Sequence, residues 1–355
     1  MQNIFIKIEN IKSMKGYKKT GLVLGGNGFI GHHLARRWKN DGYWVRVVDI
    51  KNYEYGEPDY AHEIVIGDLR DPEVVRKVFQ LPDGKPFDEV AQMAADMGGA
   101  QYIFTGEHDA DIITNSATIN INVVQWAHIT KVGKLFWSSS ACIYPLELQQ
   151  TKVAPKLKES DAYPAHPDSD YGWEKVFSER LYQAWARNYQ LNIVIARFHN
   201  VYGPEGTWYG GKEKAPAAVC RKVAKGTEFV ENWGDGSQTR SFIYIDDCID
   251  AVRLAMEWDI NEPVNIGSEE DITIQNLYQL VIDISGKGLY IKNVPMPEGC
   301  LGVWGRNSDN SKIEKITGWK PKYNLRQGLE VTYKWVKEQV DGFVNKDIPD
   351  VAISM

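Results

Sequence analysis

Gly21-Leu22-Val23-Leu24-Gly25-Gly26-Asn27-Gly28-Phe29-Ile30-Gly31 is the stretch that decides the fold. Its first four residues read as a short buried strand, and residues 32–39 continue as a helix. Between them, glycines at 25, 28 and 31 form Gly-x-x-Gly-x-x-Gly, which lets backbone approach a pyrophosphate at a helix N-terminus. A bare glycine pattern is weak, but strand before and helix after supply the required context. Residues 43–48 form the next strand, which ends in Asp49, 18 residues beyond Gly31. A carboxylate there accepts hydrogen bonds from both ribose hydroxyls and repels a 2′-phosphate, so NAD is favoured over NADP. Gly25, Gly28, Phe29, Ile30, Gly31 and Asp49 are therefore the expected cofactor contacts.

Working outward, residues 64–70 give a third strand, with Asp68 placed to reach the adenine. Residues 88–94 form a fourth strand, followed by Ala95-Asp96-Met97-Gly98-Gly99, small enough to let ligands come close. Residues 114–128 are helical and partly apolar on both sides, as for a helix packed on a partner subunit. Residues 134–137 and 193–198 are further strands. Strands alternating with helices define an α/β fold with a doubly wound parallel (Rossmann) sheet. Beyond residue 199 the composition shifts, and the glycine- and lysine-rich 207–217 suggests a loop of a smaller, mixed α/β substrate domain. There, 241–245 reads as a strand, Asp246-Asp247 as a helix cap, 263–266 as a strand, and Thr273 as the cap of helix 274–284. Residues 295–304 look irregular, and 319–340 a turn with an amphipathic helix. The expected division is a flexible arm (1–18), a dinucleotide domain (19–198, with 241–258 returning to it), a substrate domain (199–240 and 259–345) and a tail (346–355).

The chain has 355 residues, enough for a large core in one or two domains. Hydrophobic content of 43% and charged content of 25% are those of a globular protein. A formal net charge of −6 argues against nucleic acid as the main partner, though not against a local basic pocket. Cys142, Cys220, Cys248 and Cys300 have neither metal-motif nor disulfide spacing, which suggests a reducing compartment, the cytoplasm, and no metal. No apolar run approaches the roughly 18 residues that span a bilayer, so no membrane partner is expected.

The chemistry concentrates in Ser138-Ser139-Ser140-Ala141-Cys142-Ile143-Tyr144-Pro145 and in Tyr171-Gly172-Trp173-Glu174-Lys175. The serines end a strand at the sheet edge where ligands bind in such folds. Tyr171 and Lys175, four apart, share a helix face, so the ammonium could lower the phenol's pKa. With Ser140 nearby, that phenol could exchange a proton with a sugar hydroxyl while a nicotinamide takes the hydride. Tyr-x-x-x-Lys alone is weak, for Tyr333 and Lys337 repeat it with no glycine loop or serine run beside them. Cys142 adds a second acid/base group two residues past Ser140, which points beyond simple oxidation to proton abstraction next to a ketone.

Together these residues resemble the extended short-chain dehydrogenase/reductase family, also called NAD-dependent epimerase/dehydratase. The family marks are the 25–31 glycines, Tyr171 with Lys175, Gly203-Pro204 and Arg240-Ser241-Phe242. Within it the chain is similar to the branch of 3′,5′-epimerases acting on GDP-mannose. That likeness rests on residues 94–99, 139–145, 197–200, 210–217, 233–236 and 305–310, and runs from about Gly21 to Val340. The resemblance implies that Tyr171, Lys175 and Ser140 handle the C4 hydroxyl while NAD accepts and returns the C4 hydride. It implies that Cys142 and Lys214 are the acid/base pair for carbon-bound protons, acting on opposite ring faces. It also implies a GDP-sugar held by Gly98, Ser139, Ser140, Cys142, Asn200, Glu213, Lys214, Ala215, Lys222, Gln238, Thr239, Arg240 and Arg306, with the two arginines on the diphosphate. A homodimer through helices 114–128 and 171–188 is the matching expectation.

The chain departs from that branch at Leu146, where an acidic residue is expected, at Gly31, and in the length of 100–113 and 300–304. These departures surround the sugar end, so a GDP-heptose, or inversion at one carbon alone, stays open. A 4-epimerase or 4-oxidase with Cys142 as packing is the rival enzyme. A non-catalytic dinucleotide-binding protein is the rival of another class.

Overall fold

The computed structural model describes residues 5–8, 14, 16–260, 262–296 and 302–343. The first strands are β1 (Phe5–Ile8), β2 (Thr20–Leu24), β3 (Trp44–Asp49), β4 (Glu63–Ile66), β5 (Glu89–Gln92), β6 (Lys134–Ser140), β7 (Lys156–Leu157) and β8 (Ile193–Phe198). The later ones are β9 (Val201–Tyr202), β10 (Phe229–Trp233), β11 (Thr239–Ser241), β12 (Ile243–Tyr244), β13 (Val264–Ile266), β14 (Asp271–Thr273), β15 (Tyr290–Val294) and β16 (Gly305–Ser308). Eight of them form the main sheet, in the order β1-β4-β3-β2-β5-β6-β8-β13. Seven run parallel, and β1 pairs antiparallel with β4. The order reverses at β2, so a crevice opens between the ends of β2 and β5, where such folds bind ligands.

Helices cover both faces. They are α1 (Phe29–Asn40), α2 (Pro72–Val78), α3 (Ala100–Phe104), α4 (Asp109–Ile129), α5 (Asp170–Tyr189), α6 (Ala215–Lys225), α7 (Ile245–Glu257), α8 (Ile274–Ser285), α9 (Ser311–Thr317) and α10 (Leu325–Phe343). Strand side chains alternate between faces, and the core divides accordingly. Val23, Val45, Val47 and Phe136 pack on one side with Trp38 and Val252, and Leu22, Leu24, Val90 and Trp137 on the other with Val123 and Tyr182. All six residues of β3 are buried, as expected for a parallel strand covered on both faces.

Several sequence expectations need correction. Helix α4 starts at Asp109, with Asp109 and Asp111 in its first turn, where carboxylates suit the helix dipole. The strand expected over 241–245 is two: β11 pairs with β14 and β16, whereas β12 pairs with β9. Asp246 and Asp247 do not cap α7, whose cap is Tyr244; Asp247 accepts hydrogen bonds from the Lys322 and Tyr323 N–H groups at 2.9 and 3.0 Å. Thr273 does cap α8, accepting from the Asn276 N–H at 3.2 Å. Strand β13, assigned from sequence to the substrate domain, instead extends the main sheet beside β8. Within the stretch read as an arm, Phe5–Ile8 is a paired strand. Cys300 lies outside the described residues; Cys142, Cys220 and Cys248 are free thiols. Among the described residues no helix is long and apolar enough to cross a membrane.

Candidate active site

Strand β6 delivers its serines to the carboxyl edge of the sheet and turns sharply. Ser140 caps the turn 141–143 by accepting from the Cys142 N–H at 3.2 Å. Helix α5, capped by Ser169, packs directly on that turn. A Cβ on Gly172 would lie 2.4 Å from the Cys142 carbonyl oxygen and 2.6 Å from the Pro167 Cβ, so only glycine admits this approach. Tyr171 and Cys142 are thereby brought onto one cavity.

That cavity measures about 670 Å³ and is lined by Gly98, Ser140, Cys142, Tyr171, Asn200, Glu213, Lys214, Ala215, Lys222, Gln238, Arg240 and Arg306. This volume suits a ligand of nucleotide size. Twelve of the expected side chains and backbone sites thus meet in one place, although they come from the full length of the fold. Two expected substrate contacts do not line it. Ser139 is buried and donates to Glu179 at 3.1 Å, because alternate residues of β6 face opposite sides. Thr239 likewise donates to the Lys152 carbonyl at 2.7 Å, away from Arg240 on the same strand.

Burial raises the Tyr171 phenol well above its ordinary range, with Cys142 adding to the rise, while Ser140 and Arg306 pull against it. The expectation that Lys175 lowers it is not met. The Lys175 ammonium donates to the Ser138 carbonyl at 3.1 Å and stands 5.6 Å from the Tyr171 ring centroid, over its face and not at its oxygen. Burial lowers the pKa of Lys175, against the pull of Glu174 and Cys142. Lys214, at the start of α6, is also lowered by burial; Cys142 opposes this and Arg306 reinforces it. An amine so placed gives up a proton more readily than one in water.

The two arginines are already engaged. Arg306, on β16, donates to Cys142 Sγ at 3.1 Å, to Asp168 at 2.9 Å and to the Gln149 carboxamide. Burial would lower its pKa, but Cys142 and Asp168 raise it. Arg240 donates to the carbonyls of Thr239 (2.9 Å), Trp304 (3.2 Å) and Val303 (2.6 Å). Burial and the neighbouring Arg306 bring it down to about 9. Glu213 is fixed by Arg221 and by the Gly211 N–H, both at 2.7 Å. Lys222 donates to the Glu231 carbonyl and the Tyr278 hydroxyl, and burial lowers it to about 8. Asn200, at φ 37, donates to the Ser241 carbonyl at 3.0 Å.

Asp168 and Gln149 were not anticipated from sequence. Asp168, three residues before Tyr171, offered at least a position; Gln149 offered no signal. Deeper, Asn120 of α4 joins four elements. Its carbonyl accepts from Gln92, Trp137 and Tyr182, each at 3.0 Å, and its amide donates to Glu174 and Ser178, each at 3.0 Å.

The dinucleotide cradle passes a direct steric test. A Cβ at Gly25 would lie 2.6 Å from the Ala94 nitrogen, and one at Gly31 would lie 2.1 Å from the Gly25 oxygen. Gly28 begins α1 with no side-chain cap, leaving the helix N-terminus open to an anion, with Phe29 and Ile30 as its first residues. Asp49, at the end of β3, accepts from the Asn27 and Lys51 N–H groups at 3.0 and 3.2 Å; burial raises its pKa and these bonds oppose the rise. A carboxylate has lone pairs beyond those two, so the residues fit a ribose there. Asp68 is different: the Arg70 guanidinium grips both its oxygens, at 2.6–3.0 Å.

A glycine cradle at the switch point, beside a tyrosine–lysine pair and a nucleotide-sized cavity, defines an enzyme class. The chain belongs to the NAD dependent epimerase/dehydratase family, matched over residues 21–267. Over 320 residues it is 42% identical to GDP-mannose 3,5-epimerase 1 of Oryza sativa subsp. japonica, covering 90% of this chain and 82% of that protein. It is equally close, at 42% over 322 residues, to GDP-mannose 3,5-epimerase of Arabidopsis thaliana, with the same coverage. Among solved structures, UDP-glucose 4-epimerase of Thermotoga maritima with UDP-glucose superposes with a TM-score of 0.79 at 28% identity, over 90% of this chain and 99% of that one. UDP-glucuronic acid 4-epimerase of Bacillus cereus, in complex with UDP-glucuronic acid and NAD, gives 0.74 at 25% identity, with the same coverage. The chain is an enzyme of this family, similar to isomerases.

Proposed function

We propose that the protein is an NAD-retaining epimerase that inverts C5 and C3 of GDP-mannose or a close GDP-sugar, forming GDP-L-galactose, GDP-L-gulose or both. The observation that carries the reading is that Cys142 and Lys214, from distant elements, line the same cavity as Ser140 and Tyr171. NAD, when bound at the glycine loop and Asp49, supplies hydride acceptance at C4 and returns the hydride at the end. Tyr171, with Ser140 and Lys175 beside it, takes and restores the C4 hydroxyl proton. A ketone at C4 acidifies the hydrogens at C3 and C5, since the carbon–hydrogen electron pair moves into an enolate. Cys142 and Lys214 then remove and deliver a proton on opposing ring faces. Lys214 suits this exchange because burial eases loss of its proton. Gly98, Asn200, Glu213, Ala215, Lys222 and Gln238 are the proposed contacts to the rest of the GDP-sugar.

The test is incubation with GDP-mannose in heavy water, with NMR of the product. Deuterium should enter C3 and C5, and Cys142→Ala or Lys214→Ala should abolish the exchange. Exchange that survives both changes refutes the pair. C4 inversion without C5 exchange identifies a 4-epimerase instead.

We also propose a homodimer, supported by the outward apolar residues of α4 (Ile113, Ile121, Ile129) and α5 (Trp173, Phe177, Tyr189), all more than a third exposed; a cytoplasmic location is proposed on the irregular spacing of the four cysteines alone. Mass of a monomer in sedimentation at micromolar concentration would refute the dimer.

A further inference from the structure

Helix α3 is only five residues long, yet it is pinned from three sides. The Tyr102 hydroxyl donates to Asp96 at 2.9 Å, its ring stacks on His108 with centroids 4.2 Å apart, and the Lys212 ammonium sits 3.6 Å from the same ring centroid. Lys212 belongs to the loop that carries Lys214. A Cβ at Gly99, just before α3, would lie 2.4 Å from the Glu213 carbonyl oxygen of that loop, so the two segments run in direct contact. With Tyr102 held this way, Ile103 and Phe104 line the cavity. Ile103 is buried in a cluster with Ile112 and Tyr171, and Phe104 and Cys142 pack against it. The Phe104 ring also meets Gly302, where at φ +60 a Cβ would lie 3.2 Å from it. A hydrocarbon wall thus stands beside the tyrosine and the cysteine.

We propose that Ile103 and Phe104 are specificity-determining residues: they restrict the group on C5 of the sugar to one exocyclic carbon, so that the site takes a GDP-hexose and turns away a GDP-heptose. This deepens the epimerase reading given above and rests on it for the seating of the sugar. In that seating Tyr171 meets the C4 hydroxyl, Cys142 and Lys214 act at C3 and C5, and the diphosphate leaves from C1, across the ring from C4. The exocyclic chain on C5 therefore starts beside the groups against which this wall packs. A heptose lengthens that chain by one carbon and one hydroxyl. Neither side chain of the wall donates or accepts a hydrogen bond, and among the described residues α3 gives the cavity no other side chain. The added carbon crowds the Phe104 ring, and the added hydroxyl gives up water without gaining a partner on that side.

The experiment is calorimetric titration of the full chain with GDP, GDP-mannose and GDP-manno-heptose, giving a Kd for each. Binding is read without turnover, so failure here is separable from failure of the epimerase reading, which the heavy-water exchange decides. A misfit of one carbon or one hydroxyl in an apolar pocket is worth about tenfold to a hundredfold, so the wild-type protein should bind the heptose that much more weakly than the hexose. Phe104→Ala should bring the two Kd values to within about threefold of each other, while the Kd of GDP, which has no sugar, stays at the wild-type value. Phe104→Leu fills part of the space and should fall between; it also carries the comparison if the alanine variant does not fold. Equal binding of hexose and heptose by the wild-type protein would overturn the proposal. So would a ratio unchanged in the folded variants, or a loss of affinity that GDP shares in full, since either places the effect of Phe104 elsewhere than on the sugar.

Discussion

Replacing Gly172 by alanine tests how the site is assembled. The added Cβ would sit 2.4 Å from the Cys142 carbonyl oxygen and 2.6 Å from the Pro167 Cβ, against ordinary contact at 3.4 Å or more. One of these groups, or α5 itself, must therefore retreat by close to an ångström. Alanine inside a helix recovers roughly 0.5–1 kcal/mol relative to glycine, but overpacking of this kind costs about 1–3 kcal/mol. The steric effect should win, with a net loss of about 1–2 kcal/mol. The catalytic effect should be larger, because the displacement separates Tyr171 from Cys142, the two groups that the proposed epimerisation needs in register. A misplacement near 1 Å can cost about a hundredfold in rate. Thermal unfolding should show a modest fall in Tm, and GDP-mannose turnover followed by NMR should fall far more than stability does. Wild-type turnover with unchanged Tm would refute the claim that this absent side chain sets the spacing.

Two further outcomes follow from groups outside the proposed acid/base pair. His199 is fully buried, and burial brings its pKa down to about 3, with its Nε2 3.2 Å from Asn265. Its folded value lies below the unfolded one, so its contribution is intact above about pH 6.5 and is lost as the pH falls toward 3. Below about pH 6 it should cost about 1.4 kcal/mol per pH unit. Urea unfolding of His199→Gln between pH 6 and 5 should lose that much of the slope, and parallel profiles for the two proteins would exclude it. Arg240→Ala strips a cationic donor from the carbonyls of Thr239, Val303 and Trp304. Hydrogen exchange across residues 302–306 should accelerate at least about tenfold, since a bond to a charged group is worth about 1.5–3 kcal/mol; protection equal to wild type would mean that the segment holds itself.

The fold was legible because its signals are local. Leu22 to Gly31 states a strand, a tight loop and a helix within one short window, and Asp49 closes the next strand at the expected distance. Tyr171 and Lys175 were legible for the same reason. Cys142 was half legible: its position past Ser140 suggested chemistry, but only resemblance gave it a role. What the sequence concealed is long-range or directional. Arg306 meets Asp168 and Cys142 across well over a hundred residues, and no spacing rule reports that. Ser139 and Thr239 were placed by name in a functional string, although strand alternation turns them away from the cavity. Asp246 and Asp247 look like caps in isolation; the backbone of 322–323, arriving from the C-terminal end, claims the second of them.

The amide of Asn120 carries one more consequence. Its oxygen satisfies three donors and its nitrogen two acceptors, so the arrangement has no half-made version of comparable energy. Rolling α5 by a single residue, about 100°, would withdraw Glu174, Ser178 and Tyr182 together and strand all of them in an apolar layer. Tyr171 lies about one turn ahead of Glu174, the first of these, on the same helix. The direction in which the phenol points is thus indexed from beneath, by a polar latch that never meets the ligand.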